Sequence, residues 1–180
     1  QTALLLAMDV SNSVDPGEYR LQINGLAAAL RDPEIAEILV QDSVALSVMQ
    51  WSGPDKQEIS LDWQRMLSAA HVAAFAQQVS ALPRAFVLSN TAPAEALDVA
   101  LDHMARAPVC ARRIIDVSGD GTPNAGEQAL STMQQRARRA GVTINGLAIE
   151  SLGLALTNFY RRSIITRDGF VETAQGHRDY

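Results

Sequence analysis

Ala3-Leu4-Leu5-Leu6-Ala7-Met8-Asp9-Val10-Ser11-Asn12-Ser13 begins with six apolar residues that do not alternate with polar ones, and the run stops at an aspartate. A run without alternation is how a strand reads when helices cover both faces of its sheet, as at the centre of a parallel sheet. Outward from it, Asp15-Pro16-Gly17-Glu18 has the chemistry of a helix start, with Asp15 as N-cap, Pro16 first and Glu18 third. Tyr19, Ile23, Leu26, Ala27 and Leu30 then recur at helical spacing until Asp32-Pro33 ends or breaks the helix.

The alternation of element types continues along the chain. Val44 to Trp51 reads as a strand, Ser52-Gly53-Pro54-Asp55 as a turn, and Gln57 to Leu61 as the return strand of a hairpin. So short a connection makes that pair antiparallel and places it at a sheet edge. Helices are predicted over 69–82, 93–105 and 125–140, the last stopped by Gly141. Strands are predicted over 113–118, running into Gly119-Asp120-Gly121, and over 142–149. The expected fold is one α/β domain over 1–180: a doubly wound, mostly parallel central sheet with one antiparallel edge strand and helices on both faces.

Composition narrows the function classes. The chain has 180 residues, 47% apolar and 19% charged, with a net charge of -5. That balance folds rather than staying disordered, and chains split into several cores only above roughly 250–300 residues. Mild acidity offers no broad positive field for phosphates, which excludes a generic nucleic-acid partner. No apolar run approaches the roughly 18–20 residues of a membrane span. Cys110 is alone, so no internal disulfide forms and a buried structural thiol is expected. Lys56 is the sole lysine. The chain opens at Gln1 rather than Met, which suggests removal of an upstream leader or a cloning boundary.

In open α/β sheets, ligands bind outside the carboxyl ends of the strands. Three loops carry hard oxygen ligands to such ends: Asp9-Val10-Ser11-Asn12-Ser13, Ser89-Asn90-Thr91, and Gly119-Asp120-Gly121. Two carboxylates and three hydroxyls suit a hard divalent cation better than proton transfer, because Mg²⁺ takes oxygen ligands and keeps several waters. Residues i, i+2 and i+4 of an extended or looping backbone turn to the same side, so Asp9, Ser11 and Ser13 can face one ion. The competing explanation for Ser13 or Asp15 is helix capping.

Asp9-x-Ser11-x-Ser13, Thr91 and Asp120-Gly121, in that order after strands one, three and four, resemble the metal-ion-dependent adhesion site of von Willebrand factor A domains. More specifically, the chain resembles the bacterial DUF1194 branch of that superfamily. The resemblance runs through 7–15, 27–33, 50–54, 115–121, 140–147 and Asn158-Phe159-Tyr160, and so spans nearly the whole chain. It implies that Asp9, Ser11, Ser13, Thr91 and Asp120 contact the metal. In such sites the two serines bind directly, while the threonine and aspartates exchange direct and water-mediated contact. It also implies that a protein partner supplies a carboxylate to the vacant position. Two departures stand out. Leu88-Ser89-Asn90-Thr91-Ala92-Pro93 lacks the glycines common before this threonine, and the chain ends at Tyr180, where family members continue into a last helix.

Enzymatic readings fare less well. Haloacid-dehalogenase-like phosphatases need Asp-x-Asp and a lysine on a later loop. Ser11 replaces the second acid, and Lys56 is expected far from the strand ends. Receiver domains want an acidic pair and a strand-end lysine, and fail at the same residue. A serine hydrolase frame is missing around Ser118, and His71, His103 and His177 read as surface or core-edge residues. Arg136, Arg138 and Arg139 read as solvated complements of a helix dipole. Trp51 and Trp63 are expected at the hairpin rim, and Asp116 is expected to have a buried partner such as a hydroxyl or arginine, the alternative being an acid that orients metal ligands or water from behind them. The expected function is metal-dependent, non-catalytic capture of an acidic residue of a protein partner, with Mg²⁺ as cofactor and Mn²⁺ or Ca²⁺ as substitutes. The alternative is a Mg²⁺-dependent phosphate-ester hydrolase using the same aspartates. A periplasmic or extracellular location is expected, with a cytoplasmic one left open.

Overall fold

A computed structural model describes residues 1–126, 128–150 and 153–176. Its strands are β1 (Thr2–Asp9), β2 (Ala45–Trp51), β3 (Gln57–Arg65), β4 (Arg112–Gly119), β5 (Val142–Glu150) and β6 (Val171–Gln175). They form one 6-stranded sheet in the order β3-β2-β1-β4-β5-β6. Every neighbouring pair is parallel except β2 and β3, the edge hairpin expected from the short turn. The helices are α1 (Pro16–Arg31), α2 (Pro33–Gln41), α3 (Ala69–Ser80), α4 (Pro93–Ala105), α5 (Leu130–Arg139) and α6 (Ala155–Ser163).

Side chains alternate across each strand, and the two faces bury different helices. Ala3, Leu5, Ala7, Ile115 and Val117 pack with Leu97 and Met104 of α4, Met133 of α5 and Tyr160 of α6. On the opposite face, Met8, Leu46 and Val48 pack with Ile23 of α1, Leu39 of α2 and Phe75 of α3. Each fully buried Leu, Ile or Phe stabilises by about 1.5–3 kcal/mol, so both layers hold the strand ends firmly. From β1 the chain winds outward to β2, then crosses back past β1 to β4. The strand order therefore reverses between β1 and β4, and the crevice of such a sheet opens there.

The structure departs from the sequence reading at several elements. Asp32 both closes α1 and opens α2, its carboxylate accepting from the Glu34 and Ile35 amides, so Pro33 starts a second helix instead of only stopping the first. The helix expected from residue 125 begins at Leu130, because Gly126 sits at φ +100 in the left-handed region. α3 ends at Ser80, short of the expected 82, and β3 runs on to Arg65. α6 and the short edge strand β6 went unread, since five residues of weak alternation carry little signal. Thr91 does not directly follow a strand: an irregular segment leads to it from α3. Among the described residues, no helix is long and apolar enough to cross a membrane. His177 and the expected chain end before a last helix lie outside the described residues.

Candidate metal centre

Asp9 is the last residue of β1 and Asp120 follows the last residue of β4, so the switch between these neighbouring strands sets both acids at one edge. As the backbone leaves the ladder, its amides become free for side chains. The Ser11 N–H turns back to Oδ1 of Asp9 at 2.8 Å. The Ser11 and Ser13 hydroxyl oxygens lie 3.3 Å apart, and Ser13 Oγ donates to Oδ1 of Asp120 at 2.5 Å. Capping does not account for Ser13. Asp15 accepts the Glu18 amide at 2.8 Å and Glu18 accepts the Asp15 amide at 3.0 Å, closing a capping box without it.

Thr91 arrives by tertiary contacts. The Asn12 N–H donates to the Ser89 carbonyl at 2.8 Å, and the Ala92 N–H to the Ser52 carbonyl at 2.9 Å, tying its loop to the ends of β1 and β2. Thr91 and Asn124 clasp each other: the Thr91 N–H donates to Asn124 Oδ1 at 2.8 Å, and the Asn124 N–H to the Thr91 carbonyl at 3.0 Å. As a result Ser13 Oγ and Thr91 Oγ1 lie 3.3 and 3.9 Å from the point a Cβ on Gly121 would occupy. A side chain there would crowd the space between these hydroxyls. The five predicted residues thus meet at one sheet edge, Asp9 and Ser11 fully buried at its floor and Ser13 exposed at its rim.

Asp9 is electrostatically the most unusual of the five. Its Oδ2 is buried without a hydrogen-bond partner. Burial pushes the carboxyl up to about 7, against hydrogen bonds from Ser11 that pull it down, while the charge of Asp120 adds to the rise. Among the described residues, no group of three or more His, Cys, Asp or Glu converges as a metal site. A cation here must therefore rely on hydroxyl and carboxylate oxygens. That donor set fits Mg²⁺, a hard ion, and an orphaned buried carboxylate oxygen is the kind of atom a cation would satisfy.

Other residues fall into different roles. Lys56 is not far from the strand ends: β2 runs parallel to β1 with Trp51 opposite Asp9, so the β2–β3 turn stands at the same edge. Its Cγ lies 3.6 Å, and Ser89 Oγ 2.9 Å, from the point a Gly53 Cβ would occupy. His103 is core rather than core-edge, bonded to Ser47 Oγ at 2.9 Å and stacked on Trp63 with ring centroids 5.0 Å apart. Trp51 is fully buried. Arg136 pairs with Asp98 and Asp102 of α4, whereas Arg138 and Arg139 are exposed. His71 accepts the Leu67 amide at the start of α3. Cys110 is half-buried beside the Arg65 guanidinium. Asp116 has a buried partner, the Asn145 amide, which donates to its Oδ1 at 3.0 Å from the neighbouring strand.

Three site neighbours escaped the sequence reading. Arg84 donates to the carbonyls of Val10 and Ser11 at 2.9 and 3.0 Å and so holds the β1 loop from beneath. Asn124, in the turn-prone Thr122-Pro123-Asn124, carried a local signal. Tyr160, on α6, entered only within the resembling stretch Asn158-Phe159-Tyr160, with no role attached to it.

The whole chain, residues 1–180, matches the family model described as "Protein of unknown function (DUF1194)". No curated protein matches. Among solved structures, proximal thread matrix protein 1 from the mussel byssus superposes with a TM-score of 0.69 at 14% identity, covering 98% of this chain and 42% of that one. Another structure of that protein, with a zinc-occupied MIDAS motif, gives 0.64 at 16% identity, covering 96% and 41%. The pilus adhesin SpaC from Lactobacillus rhamnosus GG gives 0.67 at 14%, covering 99% and 29%. A von Willebrand factor type A protein from Catenulispora acidiphila gives 0.68 at 16%, covering 98% and 39%. The chain thus spans well under half the length of these proteins. Likeness at such identities establishes the fold, that of von Willebrand factor A domains.

Proposed function

Since the chain belongs to the DUF1194 family, whose description assigns no activity, we propose from the site itself that it is a divalent-metal-dependent binding domain that captures an acidic residue of a protein partner. Asp9, Ser11, Ser13, Thr91 and Asp120 hold the cation, with Mg²⁺ the natural occupant and Mn²⁺ or Ca²⁺ able to replace it. The observation that carries this reading is Oδ2 of Asp9, buried without a partner at the start of a loop whose Ser11 and Ser13 hydroxyl oxygens lie 3.3 Å apart. Ionising such a carboxyl is costly in isolation and favourable beside a cation. Neutral hydroxyls leave much of the cation's charge uncompensated, so an incoming carboxylate gains more than it would at a carboxylate-saturated site. The exposed rim at Ser13 leaves it a direction of approach. An exported location, periplasmic or extracellular, fits a domain whose structural neighbours include a pilus adhesin and a byssus protein.

Calorimetric titration of chelator-treated protein with Mg²⁺ tests the reading. Wild type binds, and Asp9→Ala weakens binding at least about 100-fold while keeping its far-UV circular dichroism, a loss of roughly 2.7 kcal/mol. Equal binding by both overturns it. The placement of Lys56 at the same edge gives the hydrolase alternative one specific support. Mg²⁺-dependent turnover of phosphate esters, lost in Asp9→Asn, would establish that alternative instead.

A further inference from the structure

Two of the buried polar atoms that lack a hydrogen-bond partner belong to residues far apart in sequence: Oδ2 of Asp9 and the hydroxyl of Tyr160. Both converge on Gly119. A Cβ built on that glycine would stand 3.0 Å from Oδ2 of Asp9 and would overlap the Tyr160 hydroxyl outright. Gly119 is the last residue of β4, and Tyr160 comes from α6 on the covered face of the sheet, so the phenol reaches the floor of the site from below. The ring itself is locked. It packs against Gly146, where a Cβ would meet its Cδ2 at 2.6 Å, and edge-on to Phe159 with centroids 6.2 Å apart. A tyrosine chosen only to fill this space would do as well as phenylalanine, because an unpartnered buried hydroxyl costs stability.

Accepting the metal centre above, we propose that Tyr160 is a positioning residue for the cation, acting through Asp9. Its O–H, which makes no hydrogen bond among the described residues, becomes the donor to the free oxygen of Asp9 and fixes the carboxylate when the cation binds. Gly119 is the residue whose bare Cα leaves room for the hydroxyl and the carboxylate oxygen at the same point. Ser11 secures Oδ1 through its amide, while Oδ2 and the Tyr160 hydroxyl, which converge on Gly119, make no hydrogen bond to each other or to any other described group in this structure. Such outer contacts orient ligands, and their loss commonly weakens metal binding by about 10–100-fold.

The experiment compares Mg²⁺ titrations and melting curves of wild type and Tyr160→Phe. The expected result is a Kd weakened about tenfold or more, with the Mg²⁺-induced rise in Tm reduced and the Tm in chelator unchanged or higher. A purely space-filling tyrosine gives equal Kd values, which overturns the proposal and leaves the metal centre standing. Absence of Mg²⁺ binding by wild type overturns both. If Tyr160→Phe fails to fold, wild type labelled at the tyrosine Cζ carbon provides the second readout, its signals assigned with Tyr19→Phe and Tyr180→Phe. Addition of Mg²⁺ shifts the Tyr160 signal if the proposal holds, and leaves it in place if it does not.

Discussion

Asp9 and Asp116 are two aspartates in apolar, neighbouring parallel strands, and burial raises the proton affinity of both. Their surroundings differ completely. Asp116 lies mid-strand opposite Leu6, where the ladder uses the backbone amides, and its described partner is a side chain, Asn145. It faces a groove lined by Leu6, Leu26, Asn145 and Phe170. Asp9 lies at the strand end, where the chain has left the ladder and returns the Ser11 amide to it, with the Ser11 and Ser13 hydroxyls paired in the same loop. A carboxylate in a sheet therefore becomes a candidate ligand through its position along the strand, since only the end supplies further oxygens from loops.

The largest expected effect that tests this contrast is on metal-free stability. Asp9 has an unfolded value near 3.8 and a folded value of about 7, so between them the folded chain keeps a proton that the unfolded chain has lost. The stabilisation is full below the unfolded value and is lost as pH rises through 7, amounting to roughly 4 kcal/mol over about three pH units. In chelator, denaturant unfolding of wild type minus Asp9→Asn should show that decline between pH 4 and 7.5. Saturating Mg²⁺, which requires the ionised carboxyl, should remove it. A flat difference would mean that Asp9 is as ordinary as a solvated acid.

How much of this was legible follows from where each contact is encoded. The strand-end half of the site was readable, because Asp9, Ser11 and Ser13 lie within five residues and their spacing dictates a shared side. Asp15-Pro16-Gly17-Glu18 likewise announced the capping box that relieves Ser13 of that duty. The parallel sheet and its antiparallel edge followed from apolar runs and one short turn. The direction of β2, which brings Lys56 to the site edge, needed the register with β1. Tyr160 and Arg84 stand 151 and 75 positions along the chain from Asp9, and no local pattern encodes such approaches. Thr91 was assigned to the site from the oxygen-bearing loop Ser89-Asn90-Thr91 and then by resemblance, while its clasp with Asn124 is visible only in three dimensions.

That clasp provides the second, smaller test. If loops build the strand-end site, weakening a loop without touching a ligand should weaken the metal. Asn124→Ala removes the acceptor of the Thr91 amide and leaves that buried residue's N–H to find water. A lost hydrogen bond of about 1–1.5 kcal/mol corresponds to a Mg²⁺ Kd weakened roughly tenfold. An unchanged Kd would show that Thr91 is positioned without the Asn124 side chain, by the Asn124 backbone amide and its loop's ties to Ser52 and Asn12, and would shift the contrast toward the β1 loop.

The smallest effect is expected at Asp116, and it is the sharpest test of the contrast because the substitution looks the most disruptive. Asp116 pairs in register with Leu6, three residues before Asp9, which at strand rise places it roughly 10 Å from the strand end. Asp116→Asn keeps an oxygen to accept from Asn145, whose own Oδ1 remains occupied by the Phe170 amide at 3.1 Å. The new amide hydrogens face a half-open groove where water can take them, and a carboxyl whose charge burial disfavours is gone. Stability should therefore change by less than about 1 kcal/mol. The Mg²⁺ Kd should stay within about twofold, as distance and intervening solvent screen a single charge. If Asp116→Asn weakened Mg²⁺ as severely as Asp9→Asn, the groove and the strand end would be one electrostatic unit, and position along the strand would no longer separate ligand from bystander.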